Sequence, residues 1–404
     1  MNVPKLRFKE FTDEWIAIKL NDISKTFDYG MNVASTSFDG KNKYIRITDI
    51  DDVSHKFLKN NIVSPSGSLE DKYLVRNDDI LFARTGASTG KTYLYNSNDG
   101  ILYFAGFLIR INVLKSYNSY FIFQNTLTKK YTDWVKVESI RSGQPGINAE
   151  QYKSYSIKCP TLAEQNKIAN FLSTVDKKIT NLENTITSLE NQKKGLLQQI
   201  FSQKLRFKDE NGNNYPIWEK KKLHELCFKI GDGLHATPKY IDSGSNYFIN
   251  GNNLFNKKIL VNELTKKVSN NELSKYYIPL DNNSILISLN GTIGNLAFYN
   301  NESIILGKSC GYINLKDNIL KEFIYYYLLQ SKIQLYFYKE LTGTTIKNLS
   351  LSSLKNTPIR LPCLEEQTKI ANFLSAFDRK LDNQKAQLEH WQQIKKGLLQ
   401  QMFV

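Results

Sequence analysis

Apolar residues in this chain follow two periods. From Ile168, the residues Leu172, Val175, Ile179, Leu182, Ile186 and Leu189 recur at steps of four and three, and after a polar break at Lys193 the series resumes at Leu196 and Ile200. The spacing returns at Ile370, Leu374, Phe377, Leu381, Gln384, Leu388, Trp391, Lys395, Leu398 and Met402. Such alternation keeps one stripe of a helix apolar and marks a coiled-coil seam. Each series predicts a helix about 60 Å long at roughly 1.5 Å per residue. Pro160 and Pro362 precede the two series and each first turn contains Glu, which suits a helix start. Elsewhere the period is nearer two. Residues 44–50, 80–84, 101–104 and 284–288 read as strands between turn signals, with helical stretches at 119–128 and 320–337. The fold class predicted is α+β. Mixed α/β domains occupy 1–160 and 203–361, and long helices occupy 161–202 and 362–404.

The two helical segments are copies of one another. Residues 162–201 and 364–403 match at 21 of 40 positions with a constant offset of 202. Beyond the helices, Lys5-Leu6-Arg7-Phe8-Lys9 returns as Lys204-Leu205-Arg206-Phe207-Lys208, and Trp15 with Leu20 returns as Trp218 with Leu223. Between these landmarks the two variable regions differ, as expected of one scaffold carrying two recognition surfaces. The chain stops at the point where its opening segment would come next in the repeat. That order predicts a cyclic arrangement of two equivalent halves about a pseudo-two-fold axis, with the termini close and the helices paired antiparallel as a coiled coil. Residues off the seam are shared too: Glu164, Gln165, Lys167, Asn170 and Ser173 match Glu366, Gln367, Lys369, Asn372 and Ser375. An intramolecular seam does not require them, so they are candidates for docking two copies of one partner.

Charge adds a partner class. Of 404 residues, 54 are Lys or Arg and 39 are Asp or Glu, a formal +15. Residues 1–201 hold 27 basic and 21 acidic residues, net +6, and residues 202–404 hold 27 and 18, net +9, so both halves are basic. Forty-five of the 54 are Lys, the residue that neutralises phosphate as a point charge. Cys159, Cys227, Cys310 and Cys363 stand apart without metal-ligand spacing, which points to reduced thiols. The charged opening residues and the lack of any long apolar run predict a cytoplasmic protein with no membrane partner.

Catalytic motifs are scarce. Thr85-Gly-Ala-Ser-Thr-Gly-Lys-Thr92 imitates a phosphate-binding loop, but Thr85 stands where the first glycine belongs. Residues 93–98 then read as strand and turn rather than the helix such a loop needs. The other half carries Asn290-Gly-Thr-Ile-Gly-Asn295 there, without Lys-Thr. There is no Asn-Pro-Pro-Tyr or Asp-Pro-Pro-Tyr methyltransferase motif and no nuclease Pro-Asp…Glu-x-Lys cluster. His55, His224, His235 and His390 have no triad or metal partner by spacing. The chain reads as a non-catalytic binder.

Two variable regions, each closed by Pro160-Thr-Leu-Ala-Glu-Gln-Asn-Lys-Ile-Ala169 or Pro362-Cys-Leu-Glu-Glu-Gln-Thr-Lys-Ile-Ala371, with both helices ending in Lys-Lys-Gly-Leu-Leu-Gln-Gln, resemble the specificity subunit of type I DNA restriction-modification systems. The segments Tyr44-Ile-Arg-Ile-Thr-Asp-Ile50 and Gly233-Leu-His-Ala-Thr-Pro-Lys-Tyr240 add to it. The resemblance covers the whole chain. One departure is Gly30-Met-Asn-Val-Ala34 opposite Gly233-Leu-His-Ala-Thr237, so a role for His235 does not carry to the first half. The resemblance implies that each variable region is a target recognition domain reading half of a split sequence in double-stranded DNA. It implies a bacterial host, paired helices acting as spacer and platform for two methyltransferase subunits, and two motor-nuclease restriction subunits joining for cleavage. S-adenosylmethionine, ATP and Mg²⁺ would belong to those partners, with no cofactor or metal in this chain.

Candidate DNA contacts are chosen by side-chain chemistry. Arg46 and Thr48 align with Asn250 and Asn252; Arg favours guanine O6/N7 and Asn favours adenine N6/N7. Lys43, Tyr44, Arg84, Ser88 and Lys91, with Arg141 and Gln144, complete the first set. His235, Thr237, Lys239, Tyr240, Asn290, Thr292, Asn295, Thr344 and Lys347 complete the second. The rival reading is a coiled-coil adaptor that organises a complex without touching DNA.

Overall fold

A computed structural model describes residues 3–140, 144–343 and 347–404. They fall into two units, one of residues 1–183 with 386–404 and one of residues 184–385. Each unit therefore takes one variable region together with part of both long helices.

In the first unit a four-stranded antiparallel sheet runs in the order Ser24–Tyr29, Leu108–Val113, Asp79–Ala83, Thr92–Leu94. The strand Asp79–Ala83 is buried throughout, because each of its faces meets a core. Ile80 and Phe82 pack with Trp15, Phe121 and Tyr152, and Leu81 and Ala83 pack with Ile45, Phe104 and Leu108. A strand covered on both sides reads as a continuous apolar run, as Ile80 to Ala83 do here. A parallel pair, Lys43–Ile45 with Leu102–Phe104, and an antiparallel pair, Ile16–Lys19 with Ser156–Cys159, flank the sheet. The second unit repeats the plan. Its sheet runs Cys227–Asp232, Cys310–Leu315, Ser284–Ser288, Leu296–Phe298, and Glu219–Lys222 pairs with Pro358–Leu361. The architecture is α+β as predicted.

Three predicted elements come out shorter. Strand 44–50 ends at Ile45, because the Asp49 carboxylate accepts from the Arg46 backbone N–H at 2.9 Å and closes a 3-10 turn over Ile47–Asp49. Helix 119–128 stops at Asn125, and Thr128 starts a new helix, Lys129–Glu138, by accepting from the Tyr131 N–H. Helix 320–337 splits into Lys321–Leu329 and Ser331–Lys339 at Gln330, whose ψ of 142° is extended.

The long helices span Leu162–Phe201 and Leu364–Met402. Within the first unit, Ile168, Ala169 and Leu172 share a core with Leu399, Met402 and Phe403. Within the second, Ile200 and Phe201 share one with Ile370 and Leu374. In both, the start of one helix meets the end of the other, which is the antiparallel pairing the repeat predicts. The seam's two lysines sit in ion pairs. Lys395 meets Asp176 at 2.7 Å in the first unit, and Lys193 meets Asp378 at 2.5 Å in the second. Tyr120 and Tyr326 donate their hydroxyls to Asp176 and Asp378, and Lys257 adds a second ammonium at 2.7 Å from Asp378.

Candidate nucleic-acid interface

One loop frame recurs in both units. In the first, Gly30 N donates to Leu108 O (3.2 Å), Met31 N to Phe104 O (2.8 Å), Arg84 N to Phe107 O (3.0 Å) and Ile147 N to Arg84 O (2.9 Å). In the second, Gly233 N donates to Cys310 O (2.9 Å), Leu234 N to Leu306 O (2.7 Å), Leu289 N to Ser309 O (2.9 Å) and Leu349 N to Leu289 O (2.7 Å). A Cβ at Gly30 or Gly233 would lie 2.3 Å from a carbonyl oxygen of the facing turn, so only glycine fits. Four loops are thereby drawn together at one end of each sheet by the same backbone bonds.

The predicted contact residues divide on this frame. Tyr44 is buried with its hydroxyl donating to Met31 O at 2.8 Å, and this corrects its assignment as a DNA contact. Lys91 is also withdrawn: its ammonium is held by Ile50 O at 3.0 Å and by the Asp52 carboxylate. After it the chain enters strand Thr92–Leu94, the strand-and-turn course that distinguishes the segment from a phosphate-binding loop. Lys43 donates to Asp99 O. The Arg46 fork is taken by Asp49, with Nε and Nη2 each 2.8 Å from a carboxylate oxygen, so the pair faces solvent as a neutral unit. Thr48 and Gln144 are exposed and Ser88 is half-buried, whereas Arg141 and Thr344 lie outside the described residues.

Of the candidate arginines among the described residues, Arg84 is left free to reach outward. Its Nε donates to Gly106 O at 3.2 Å and its guanidinium lies 5.1 Å from the Tyr29 ring centroid. Tyr29 and Phe107, 44% and 57% exposed beside it, were not singled out from the sequence. Phe107 sits in the run Phe104-Ala-Gly-Phe-Leu-Ile109, which looks like core throughout.

In the second unit, His235 Nε2 lies 2.7 Å from Asp232 Oδ2, and Thr237, Lys239 and Tyr240 are exposed beyond it. Asn250 Oδ1 accepts from Ser309 Oγ at 3.0 Å, and Asn252 is exposed. Asn295 spends its amide on Leu254 O at 3.0 Å, and Thr292 Oγ1 lies 3.3 Å from Gly251 O. Asn290 is half-buried, and Lys347 lies over the Tyr338 ring at 5.3 Å. An open cleft of about 590 Å³ brings Thr292, Asn295, Gln334, Tyr338 and Lys347 together.

The shared residues at the helix starts need a larger correction. Glu164 and Glu366 are 1% and 0% exposed, and Gln165 and Gln367 are buried with them. Arg7 binds Glu164 through Nε and Nη2, both at 2.8 Å, and Trp15 Nε1 donates to it at 3.4 Å. Arg206 and Trp218 repeat this on Glu366 at 3.1, 2.7 and 2.8 Å. The hydrogen bonds that Arg7 and Arg206 donate to these carboxylates raise the pKa of both guanidinium groups above the ordinary value. Gln165 and Gln367 donate to Pro160 O and Pro362 O and accept from the N–H groups of Asn118 and Leu320. These four side chains hold the chain's own fold and are not free for a partner. Lys167, Asn170 and Asn372 face solvent, with Lys369 half-buried. Phe171 and Phe373 lie beside them, 39% and 38% exposed, each edge-on to Phe8 or Phe207.

Among the described residues no three His, Cys, Asp or Glu side chains are placed to hold a metal ion, and no helix is long and apolar enough to cross a membrane. Burial pushes the Cys159 and Cys227 thiols up to about 12.

Comparison with known proteins gives one family. The type I restriction modification DNA specificity domain matches residues 12–191 and again 216–390. A Methanocaldococcus jannaschii protein provisionally named the type I restriction enzyme MjaX specificity subunit is 25% identical, covering 98% of this chain and 95% of its own. The crystal structure of a type I restriction-modification S subunit from M. genitalium superposes with a TM-score of 0.59 at 18% identity, covering 100% and 99% of the two chains. A chain from a structure concerning complex assembly and conformational transition of the type I R-M system gives 0.54 at 18%, covering 95% and 96%. At such identities the structures show a shared fold.

Proposed function

The chain belongs to the type I restriction-modification DNA specificity family, and on that premise we propose that it reads a split target in double-stranded DNA, each variable region recognising one half. The observation that carries this is the loop frame, held by the same backbone bonds in both units and presenting unlike side chains. Two unlike readers on one scaffold suit two unlike half-sites. The net charges of +6 and +9 supply sequence-independent attraction to phosphate in both halves.

The chain itself is non-catalytic in this reading. It recruits two methyltransferase subunits and, through them, two motor-nuclease subunits in the bacterial cytoplasm, and these bring S-adenosylmethionine, ATP and Mg²⁺. The docking surface is the repeated set of Lys167, Asn170 and Phe171 with Lys369, Asn372 and Phe373, exposed except for the half-buried Lys369. Its chemistry recurs although the variable regions differ, as twofold binding of one partner requires. The test is the methylation pattern of DNA from cells expressing the chain with its neighbouring methyltransferase. A motif of two short blocks separated by unread bases is expected. A contiguous motif, or no mobility shift on random duplexes at low salt, would leave the coiled-coil adaptor as the better account.

A further inference from the structure

We propose that Tyr29, Arg84 and Phe107 form the base-reading element of the first unit, with Arg84 directed at a guanine and Phe107 at the methyl group of a neighbouring thymine. This rests on the DNA-reading function proposed above and names side chains within it.

Preorganisation is the first ground. An arginine that merely neutralises phosphate gains nothing from a fixed direction, since a mobile ammonium does the same work. Arg84 is fixed at several points. Its N–H and C=O are bonded to Phe107 and Ile147 in the loop frame, and its Nε is bonded to Gly106 O. Its guanidinium carbon lies over the ring of Tyr29, whose hydroxyl accepts from Ala149 N at 3.1 Å. Among the described residues Nη1 and Nη2 have no hydrogen-bond partner. They form the outer edge of a planar fork already held in one orientation, the geometry that matches guanine O6 and N7. The side-chain entropy that binding would otherwise cost has been spent in folding.

Phe107 is the second ground. Phe107 is 57% exposed on the turn whose carbonyl holds the Arg84 N–H, so the two residues are neighbours across one backbone bond. An apolar ring beside a guanine-reading arginine suits the 5-methyl group of thymine.

The third ground is the other unit. The same backbone bonds hold Leu289 where Arg84 stands and Ser309 where Phe107 stands, and Leu289 is buried. Tyr29, the last strand residue before Gly30, corresponds to Asp232 before Gly233, and Asp232 is bonded to His235. One frame thus carries an aromatic–cation–aromatic set in the first unit and an acid–imidazole pair in the second. A position serving only the fold would have no reason to differ in this way.

The test uses the full-length chain with its methyltransferase, selecting from a random-sequence duplex library that is then sequenced. Arg84→Lys keeps the charge and removes the fork, and Phe107→Ser installs the residue of the second unit. Arg84→Lys should lose roughly ten- to a hundredfold of discrimination at one guanine–cytosine pair. Phe107→Ser should lose preference at an adjacent adenine–thymine pair. The half-site of the second unit should stay as in the wild type, which also shows that the variants fold. The proposal is overturned if Arg84→Lys keeps the wild-type preference while Arg84→Ala weakens all sequences alike and makes the salt dependence shallower by about one ion, since that is a phosphate contact. It is also overturned if Phe107→Ser leaves every base preference unchanged. A wild-type complex that selects no motif defeats the DNA-reading function itself, an outcome distinct from either variant's.

Discussion

A buried carboxylate is costly unless a cation and hydrogen bonds replace its water, and Glu164 has both in Arg7 and Trp15. Glu164→Gln should therefore destabilise the first unit by about 3 kcal/mol, because it leaves the Arg7 guanidinium shielded and unpaired. Urea denaturation checks this, and a loss below about 1 kcal/mol would mean that solvent reaches the pair. His55 makes a prediction in pH. Burial holds its imidazole below the ordinary 6.5, aided by the Lys395 and Lys91 charges and opposed by its bond to Thr92 O at 2.8 Å. A depressed folded pKa contributes stability that is present above pH 6.5 and lost as pH falls through the folded value. The melting temperature should decline below pH 6.5, and His55→Asn should flatten that decline. Asn is chosen because residue 55 has φ of 55°, which Asn tolerates. A variant with the wild-type pH slope would show that another group titrates. At this scale the sequence disclosed which residues are shared and concealed which way they face. Glu164 and Lys167 are equally matched by the repeat, yet one is sealed inside and the other is in water.

Elements with a sustained local period were legible, and the seam residues Ile168, Leu172, Ile370 and Leu374 are buried where the four-three spacing puts them. Elements ended by a side chain's choice of partner were not. Nothing in the spacing of residues 320–337 marks Gln330 as a break, and Asp49 ends its strand through a bond that competes with the ladder. Lys193 looked like a defect in an apolar seam, because its counter-charge, Asp378, is far away in sequence. Asp378 accepts from Lys193, Lys257 and Tyr326, and although burial opposes it, these partners hold its carboxyl below the usual range. Asp378→Asn should cost the second unit about 3 kcal/mol by stranding two ammonium groups. Asp176→Asn, which strands only Lys395, should cost the first unit less. Equal losses in the two denaturation curves would contradict the role given to Lys257.

The units are not the segments that variability in the sequence marks out. The first closes its core with Leu399, Met402 and Phe403, supplied from far along the chain, and Phe403 stacks on Phe121 at a centroid distance of 5.2 Å. Residues 184–201 carry the counterparts of that closing segment, Leu197, Ile200 and Phe201 standing for Leu399, Met402 and Phe403. A fragment of residues 1–201 should consequently purify as a dimer in which each copy closes the other, as sedimentation equilibrium would show. A folded monomer would mean that the closing segment is dispensable. The repeat made this exchange visible in the sequence, but the discontinuity of the first unit became clear only from where Phe403 packs. It also reverses the order of manufacture. The second unit is one continuous stretch, residues 184–385, and can close as soon as that stretch has been made, whereas the first unit, begun earlier, must wait for residues 386–404. A chain cut short just after residue 385 would thus cripple the domain that was made first and spare the one made second.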